Sequence, residues 1–188
     1  DECAHREPVD RLAVRTFITP FDPVVVREAL LREHYRGGQT FYVCPRIADL
    51  AETQAYLAEH VPEVKVAVAH GQMAPGDLED IMTAFYEGRF DVLLSTTIVE
   101  SGLDIPTANT LIVHRADMFG LAQLYQLRGR VGRSQTRAYA LPTLPPNRRP
   151  TPPADKLPKV LHSLPTLGSS STPASHHPHV RGAGHPRA

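Results

Sequence analysis

Charge of one sign is missing from this chain of 188 residues: 20 Lys and Arg face 20 Asp and Glu, and the formal net charge is zero. A balanced chain has no global field to draw it onto nucleic acid, so any such contact requires local clustering. Cysteine is scarce too, with only Cys3 and Cys44. One lies in a polar start and the other ends an apolar run, which makes neither a disulfide framework nor a metal site and points to a reducing compartment. No apolar run approaches the length of a membrane span, and the first residues lack a basic-then-apolar leader pattern. The expectation is a cytoplasmic protein with no membrane partner. Also missing is a G-x-x-x-x-G-K-[S/T] loop, and no acidic pair follows an apolar strand in a way that would place magnesium and a catalytic water. A chain without these can contribute to a nucleotide site but does not bind and hydrolyse a nucleotide alone.

Proline, by contrast, is abundant and unevenly placed, with Pro142, Pro145, Pro146, Pro150 and their successors crowding the sequence after Leu141. Proline lacks a backbone donor and costs roughly 3 kcal/mol inside a helix. Residues 142–188 therefore read as a mostly irregular tail, with one brief helix possible after Pro158. His176, His177, His179 and His185 suggest metal binding, but with no cysteine or acidic partner nearby a polar tail is the favoured reading, and no metal is expected.

Before residue 142 the chain alternates strands and helices. Residues 11–18 read as a strand. Residues 22–38 read as a helix with an acidic start, a proline in its first turn and a glycine stop. Short apolar runs at 40–44, 64–70, 91–96, 110–114 and 137–141 alternate with helical spacing at 47–60, 74–88 and 120–132. Nearly continuous apolar strands are covered on both faces, and parallel strands need crossover helices. The fold class is α/β: a doubly wound, mostly parallel sheet with helices on both faces. Residues 1–10 form a lead-in, 11–141 the domain and 142–188 the tail. In such sheets functional residues gather where the strands end, at their carboxyl edge.

Three stretches stand out at such ends. After 91–96, Ser95, Thr96 and Thr97 offer hydroxyls, and Gly102 and Asp104 lie on a connection closed by Pro106. They could hold a phosphate oxygen, or simply cap a turn. After 64–70, His70 and Gly71 could make a backbone contact, although a lone histidine is more often structural. The third stretch is QLRGRVGR, residues 126–133. Arg130 and Arg133 are planar, permanently charged donors suited to phosphate, and Gly129 and Gly132 leave room for close approach. A basic helix end complementing the macrodipole explains the arginines but not the glycines.

These residues carry a resemblance. TTIVESGLDIPTANTLIVHRADMFGLAQLYQLRGRVGRS (96–134) resembles motifs V and VI of superfamily 2 helicases. AHGQM (69–73), DIPTANTLIV and RADMFGLAQLYQLRGRVGR resemble the bacterial transcription-repair coupling factors more than the RecG branch. The likeness covers roughly residues 11–141. It implies the second RecA-like lobe of an ATP-driven translocase on double-stranded DNA. Arg130 and Arg133 would reach ATP on a first lobe, with Gln126 at the cleft and Gly102 and Asp104 on the nucleotide side. Thr96 would touch a DNA phosphate, with Ser95, His70 and Gly71 beside it. ATP and Mg²⁺ would be cofactors only in the complete two-lobe motor. Partners would be the first lobe, double-stranded DNA, and RNA polymerase and excision-repair proteins through regions outside this chain. Residues 159–188 resemble the segment that couples nucleotide state to DNA movement in this family, with Arg181 in its RGAG. Prolines stand where that segment needs helix formers. Two rival readings remain open on the residues alone: a stand-alone phosphate-binding α/β module, and a non-catalytic nucleic-acid or protein interaction domain.

Overall fold

The computed structural model describes residues 14–97, 105, 107–132 and 136–146. Seven strands form one sheet, β1 (Arg15–Thr16), β2 (Thr19–Pro20), β3 (Gln39–Val43), β4 (Val66–Ala69), β5 (Val92–Ser95), β6 (Ala108–Val113) and β7 (Tyr139–Leu144). Their order is β1-β7-β6-β3-β5-β4, with β2 also on β7, and every pairing is parallel. Among the described residues four α-helices cover it: α1 (Pro23–Tyr35), α2 (Ile47–His60), α3 (Pro75–Tyr86) and α4 (Leu121–Gly129).

Alternation along the strands divides the core in two, because successive side chains point to opposite faces. Phe41, Val43, Leu93, Leu111 and Val113 pack with Met82 and Phe85 of α3 and Leu124 and Leu127 of α4. Tyr42, Leu94 and Ile112 pack with Val26 and Leu30 of α1 and Leu50 and Leu57 of α2. Two helices on each face are what the doubly wound reading expects, and they explain why β3, β5 and β6 are apolar without a break.

The helix boundaries follow local chemistry. Asp22 caps α1 by accepting from the Val24 amide at 2.9 Å, and Pro23 opens the first turn with no donor to lose. Gly37, at φ 79°, supplies the left-handed residue that ends α1. The Gln123 side chain accepts from the Gly120 amide at 3.0 Å and so secures the start of α4.

Two details differ from the sequence reading. Of the strand expected over 11–18, the described residues form only β1, and a second short piece, β2, follows beyond Ile18. The last strand runs beyond 141, through Pro142 to Leu144. Ala140 and Leu144 present their carbonyls to the amides of Phe17 and Phe21, so position 142 faces the same side of β7. That side is where β1 and β2 are interrupted, and a missing proline donor there breaks no ladder bond.

Candidate functional site

Because every strand runs the same way, all their carboxyl ends lie along one edge. The register places Val43, Ala69, Ser95 and Val113 in a single row across β3, β4, β5 and β6. The next residue of each strand, Cys44, His70, Thr96 and His114, forms the rim. Backbone bonds hold that rim: the Cys44 amide donates to Ser95 O and the His114 amide to Val43 O, both at 2.8 Å.

The predicted phosphate-contact residues Ser95, Thr96, His70 and Gly71 all lie on this edge. Ser95 is fully buried, and its hydroxyl donates to the Thr96 carbonyl at 2.9 Å, so it braces the turn. Thr96 is half-buried and Gly71 exposed. His70 Nδ1 accepts from the Gln72 amide at 3.2 Å. An accepting Nδ1 leaves Nε2 to carry the proton of the neutral ring, which makes His70 a donor on its outer side.

QLRGRVGR lies elsewhere. α4 starts from the carboxyl edge and returns down the sheet, and its last turn reaches the amino end of β6. There the Ile105 amide donates to Arg130 O at 3.1 Å, and the Gly132 amide donates to Ala108 O at 2.9 Å. The six residues of β6 separate the two edges by roughly 20 Å at the usual rise per residue. The expectation that the candidate residues share the carboxyl edge is therefore corrected. Arg130, the C-cap of α4, is half-buried, and Gln126, four residues earlier on the same helical face, is exposed. Arg133, Gly102 and Asp104 lie outside the described residues, as does Arg181.

Gly132 has a structural reason of its own. Its φ is 76°, and a Cβ there would stand 2.6 Å from Ala138 Cβ. Between the exposed positions of α4, Arg128 is buried, and that burial pushes its guanidinium pKa down.

Sequence reasoning missed two further cations on the carboxyl edge. Arg46, after β3, makes two bonds to Asp49 at 3.0 and 3.2 Å. Arg115, after β6, makes two to Asp117 at 3.0 and 3.1 Å while its backbone is left-handed at φ 53°. A non-glycine residue rarely adopts that conformation, and the HRAD run at 114–117 offers no composition signal for it. Each arginine is clamped by its own acid, so the edge carries less free positive charge than its arginines suggest.

Among the described residues no group of His, Cys, Asp and Glu could hold a metal ion, and no helix is long and apolar enough to cross a membrane.

The helicase conserved C-terminal domain family matches residues 24–135. The chain is 51% identical over 177 residues to the transcription-repair-coupling factor of Rickettsia bellii, covering 94% of this chain and 16% of that protein. It is 50% identical over 177 residues to the one from Escherichia coli, covering 94% and 15%. The chain thus spans about a sixth of the length of these relatives. Among solved structures, RecG bound to a three-way DNA junction is similar at a TM-score of 0.69 and 37% identity, over 83% of this chain and 21% of that one. The C-terminal domain of the DEAD-box protein Dbp5 shares the fold, at a TM-score of 0.54 and 17% identity, over 79% and 83%.

Proposed function

The chain belongs to the helicase conserved C-terminal domain family, and from that premise we propose that it is the second motor lobe of an ATP-driven translocase on double-stranded DNA, of the kind that couples transcription to repair. One observation carries the reading. The connection 96–107 leaves β5 at the carboxyl edge and enters β6 at the amino edge, where Ile105 is hydrogen-bonded to Arg130. A single segment thus joins the edge bearing Thr96 and His70 to the turn bearing Arg130. A motor needs such a link between its DNA track and its nucleotide.

In this reading Thr96, the outer nitrogen of His70 and the Gly71 backbone meet DNA phosphates, and Ser95 holds the turn that presents Thr96. Phosphate contacts of this kind position a duplex without reading its sequence. Arg130 and Arg133 reach across to the triphosphate held by the first lobe, with Gln126, Gly102 and Asp104 beside it. The group they meet is ATP with Mg²⁺, which supplies the phosphoryl transfer. The residues present fit half of such a site: Gln126 and Arg130 lie one turn apart along α4 and its C-cap, and the sequence has no phosphate-cradling loop of its own. The arginines stabilise the charge on the transferring phosphoryl group, a role worth roughly 10³ to 10⁵ in rate. RNA polymerase and excision-repair proteins would meet regions of the longer protein outside this chain.

The test joins this lobe to a first lobe carrying the phosphate loop. Arg133→Ala should leave ATP binding within a few-fold of the parent and lower turnover at least about 10³-fold. Unchanged turnover would remove Arg133 from the site.

A further inference from the structure

At the flank of the sheet, a groove of about 260 Å³ runs between α1 and the paired strands β1 and β7. Val25 and Ala29 of α1 and Leu141 of β7 give it apolar walls, and Phe17, just after β1, closes the outer side. The Phe17 ring stacks on Tyr139 at 6.5 Å between centroids and is still 51% exposed. A lone exposed ring needs no partner. This one borders a groove rimmed by cations, and none of these residues belongs to the phosphate or nucleotide sets proposed above.

The cations gather around Tyr139. Arg15 is its register partner across β1 and β7, so the two side chains share a face. Arg137, two residues before Tyr139, falls on that face too, since Ala138 and Ala140 pack into the opposite core. From α1, the Arg32 guanidinium lies over the Tyr139 ring, 4.1 Å from its centroid, and that of Arg36 lies 5.3 Å away. Arg36 is held by the buried Glu33. Arg27, Arg46, Arg89 and Arg115 likewise have a carboxylate each. Arg15, Arg32 and Arg137 have none within ion-pair distance among the described residues. Like charges crowded around one ring repel, and a carboxylate brought by a partner relieves that repulsion. The ring also fixes the Arg32 guanidinium in place and leaves its donors for a bidentate acceptor.

The two halves of the groove together select its occupant. A nucleic-acid backbone would answer the arginines but bring nothing apolar to lie between Phe17 and Val25. A hydrocarbon would cover those walls and leave the arginines without counter-charge. The volume is below the roughly 300–1,000 Å³ of pockets that enclose a whole small molecule, and it accommodates an apolar side chain of a chain lying across the surface. Glu28, one turn before Arg32 on α1, is the acid among the lining residues, so the Tyr139 end is the positive one.

We propose that this groove docks an extended segment of a partner protein in which an apolar side chain stands beside Asp or Glu. The apolar side chain lies between Phe17 and α1, and the carboxylates meet Arg15 and Arg32. Such an anchor in a pocket with charges at its rim is how small interfaces obtain both affinity and register.

Fluorescence anisotropy on the full chain tests this with a labelled, end-blocked peptide, Glu-Asp-Leu-Phe-Asp-Glu, acidic on both sides of its apolar pair so that either chain direction is sampled. Binding should saturate below millimolar concentration and weaken as salt rises. Arg15→Gln combined with Arg32→Gln should lower affinity about tenfold, and Phe17→Ala about fivefold. All three positions are exposed, so the melting temperature should stay near the parent's. Two control peptides on the parent chain make the test independent of any variant's folding: Gln-Asn-Leu-Phe-Asn-Gln and Glu-Asp-Gly-Gly-Asp-Glu should each bind at least about fivefold more weakly. A probe peptide that fails to bind, or that binds equally well without its acids or without its apolar pair, overturns the proposal. An oligonucleotide whose affinity falls in the double arginine variant while that of the peptide does not assigns the surface to nucleic acid and overturns it as well.

Discussion

Gly132 shows how one residue can satisfy two readings that only coordinates separate. From the sequence, glycines around Arg130 suggest close phosphate approach; in the fold, Gly132 is required by its own φ of 76° and by Ala138 Cβ, 2.6 Å from where a side chain would begin. Gly132→Ala should destabilise the chain by about 1–3 kcal/mol in denaturant titration, because it adds left-handed strain to overpacking. His114 offers a second residue-scale test. Burial depresses its pKa from 6.5 in the fold, so the unfolded chain binds the proton first. Its contribution is therefore fully present above about pH 6.5, the value in the unfolded chain, and is lost as pH falls through the lower folded value. The melting temperature should drop between pH 7.5 and 5.5, and His114→Phe should flatten that part of the profile. The histidine was visible in the sequence, but its burial beneath Phe21 was not, because that contact joins residues far apart in the chain.

At the scale of elements, the boundaries of α1 and α3 were legible because their signals are local: Asp22 before Pro23, Pro75 in a first turn, and Gly37 and Gly88 at positive φ beyond the ends. The end of β7 was not. Proline reads as a strand breaker, and whether its missing donor matters depends on which neighbour faces it across the sheet. The proposed function turns, at this scale, on the connection 96–107. If it carries the signal between DNA and nucleotide, Thr96→Ala in the two-lobe protein should reduce the stimulation of ATP turnover by DNA several-fold and leave nucleotide affinity nearly unchanged. Undiminished stimulation would separate Thr96 from the DNA track. Buried polar anchors hold the elements around it. Gln39 donates to the carbonyls of Phe85 and Phe90 at 2.7 and 2.8 Å and accepts from Thr107, which fixes the start of β6 against α3 and β5.

At the scale of the whole molecule, a balanced charge and no phosphate loop make two linked expectations. The 188-residue chain alone should show no ATP turnover above background. Its binding to duplex DNA should be weak and should fall steeply with salt, since the contacts proposed here are to phosphates. DNA affinity that does not change between 50 and 200 mM salt would exclude a phosphate track along the carboxyl edge. The pairing of Arg46 with Asp49 and Arg115 with Asp117 contributes to the expected weakness, because each cation already has a counter-charge beside it.

The alternation of apolar runs and amphipathic stretches determined the α/β class, the helices on both faces and the order of the elements, since those patterns record which faces are buried, segment by segment. QLRGRVGR and the hydroxyls after β5 likewise marked the candidate chemistry, because their residue types are unusual where they stand. Only the tertiary structure decided that these two stretches occupy opposite edges of the sheet, that Ser95 braces its turn, and that Phe17, Arg32 and Tyr139 line one groove. Parallel pairing causes the first and the last: it gathers every strand end on one edge, sends α4 back to the other, and brings together residues that no local pattern relates, whereas the Ser95 bond is local and depends on the rotamer that its burial imposes.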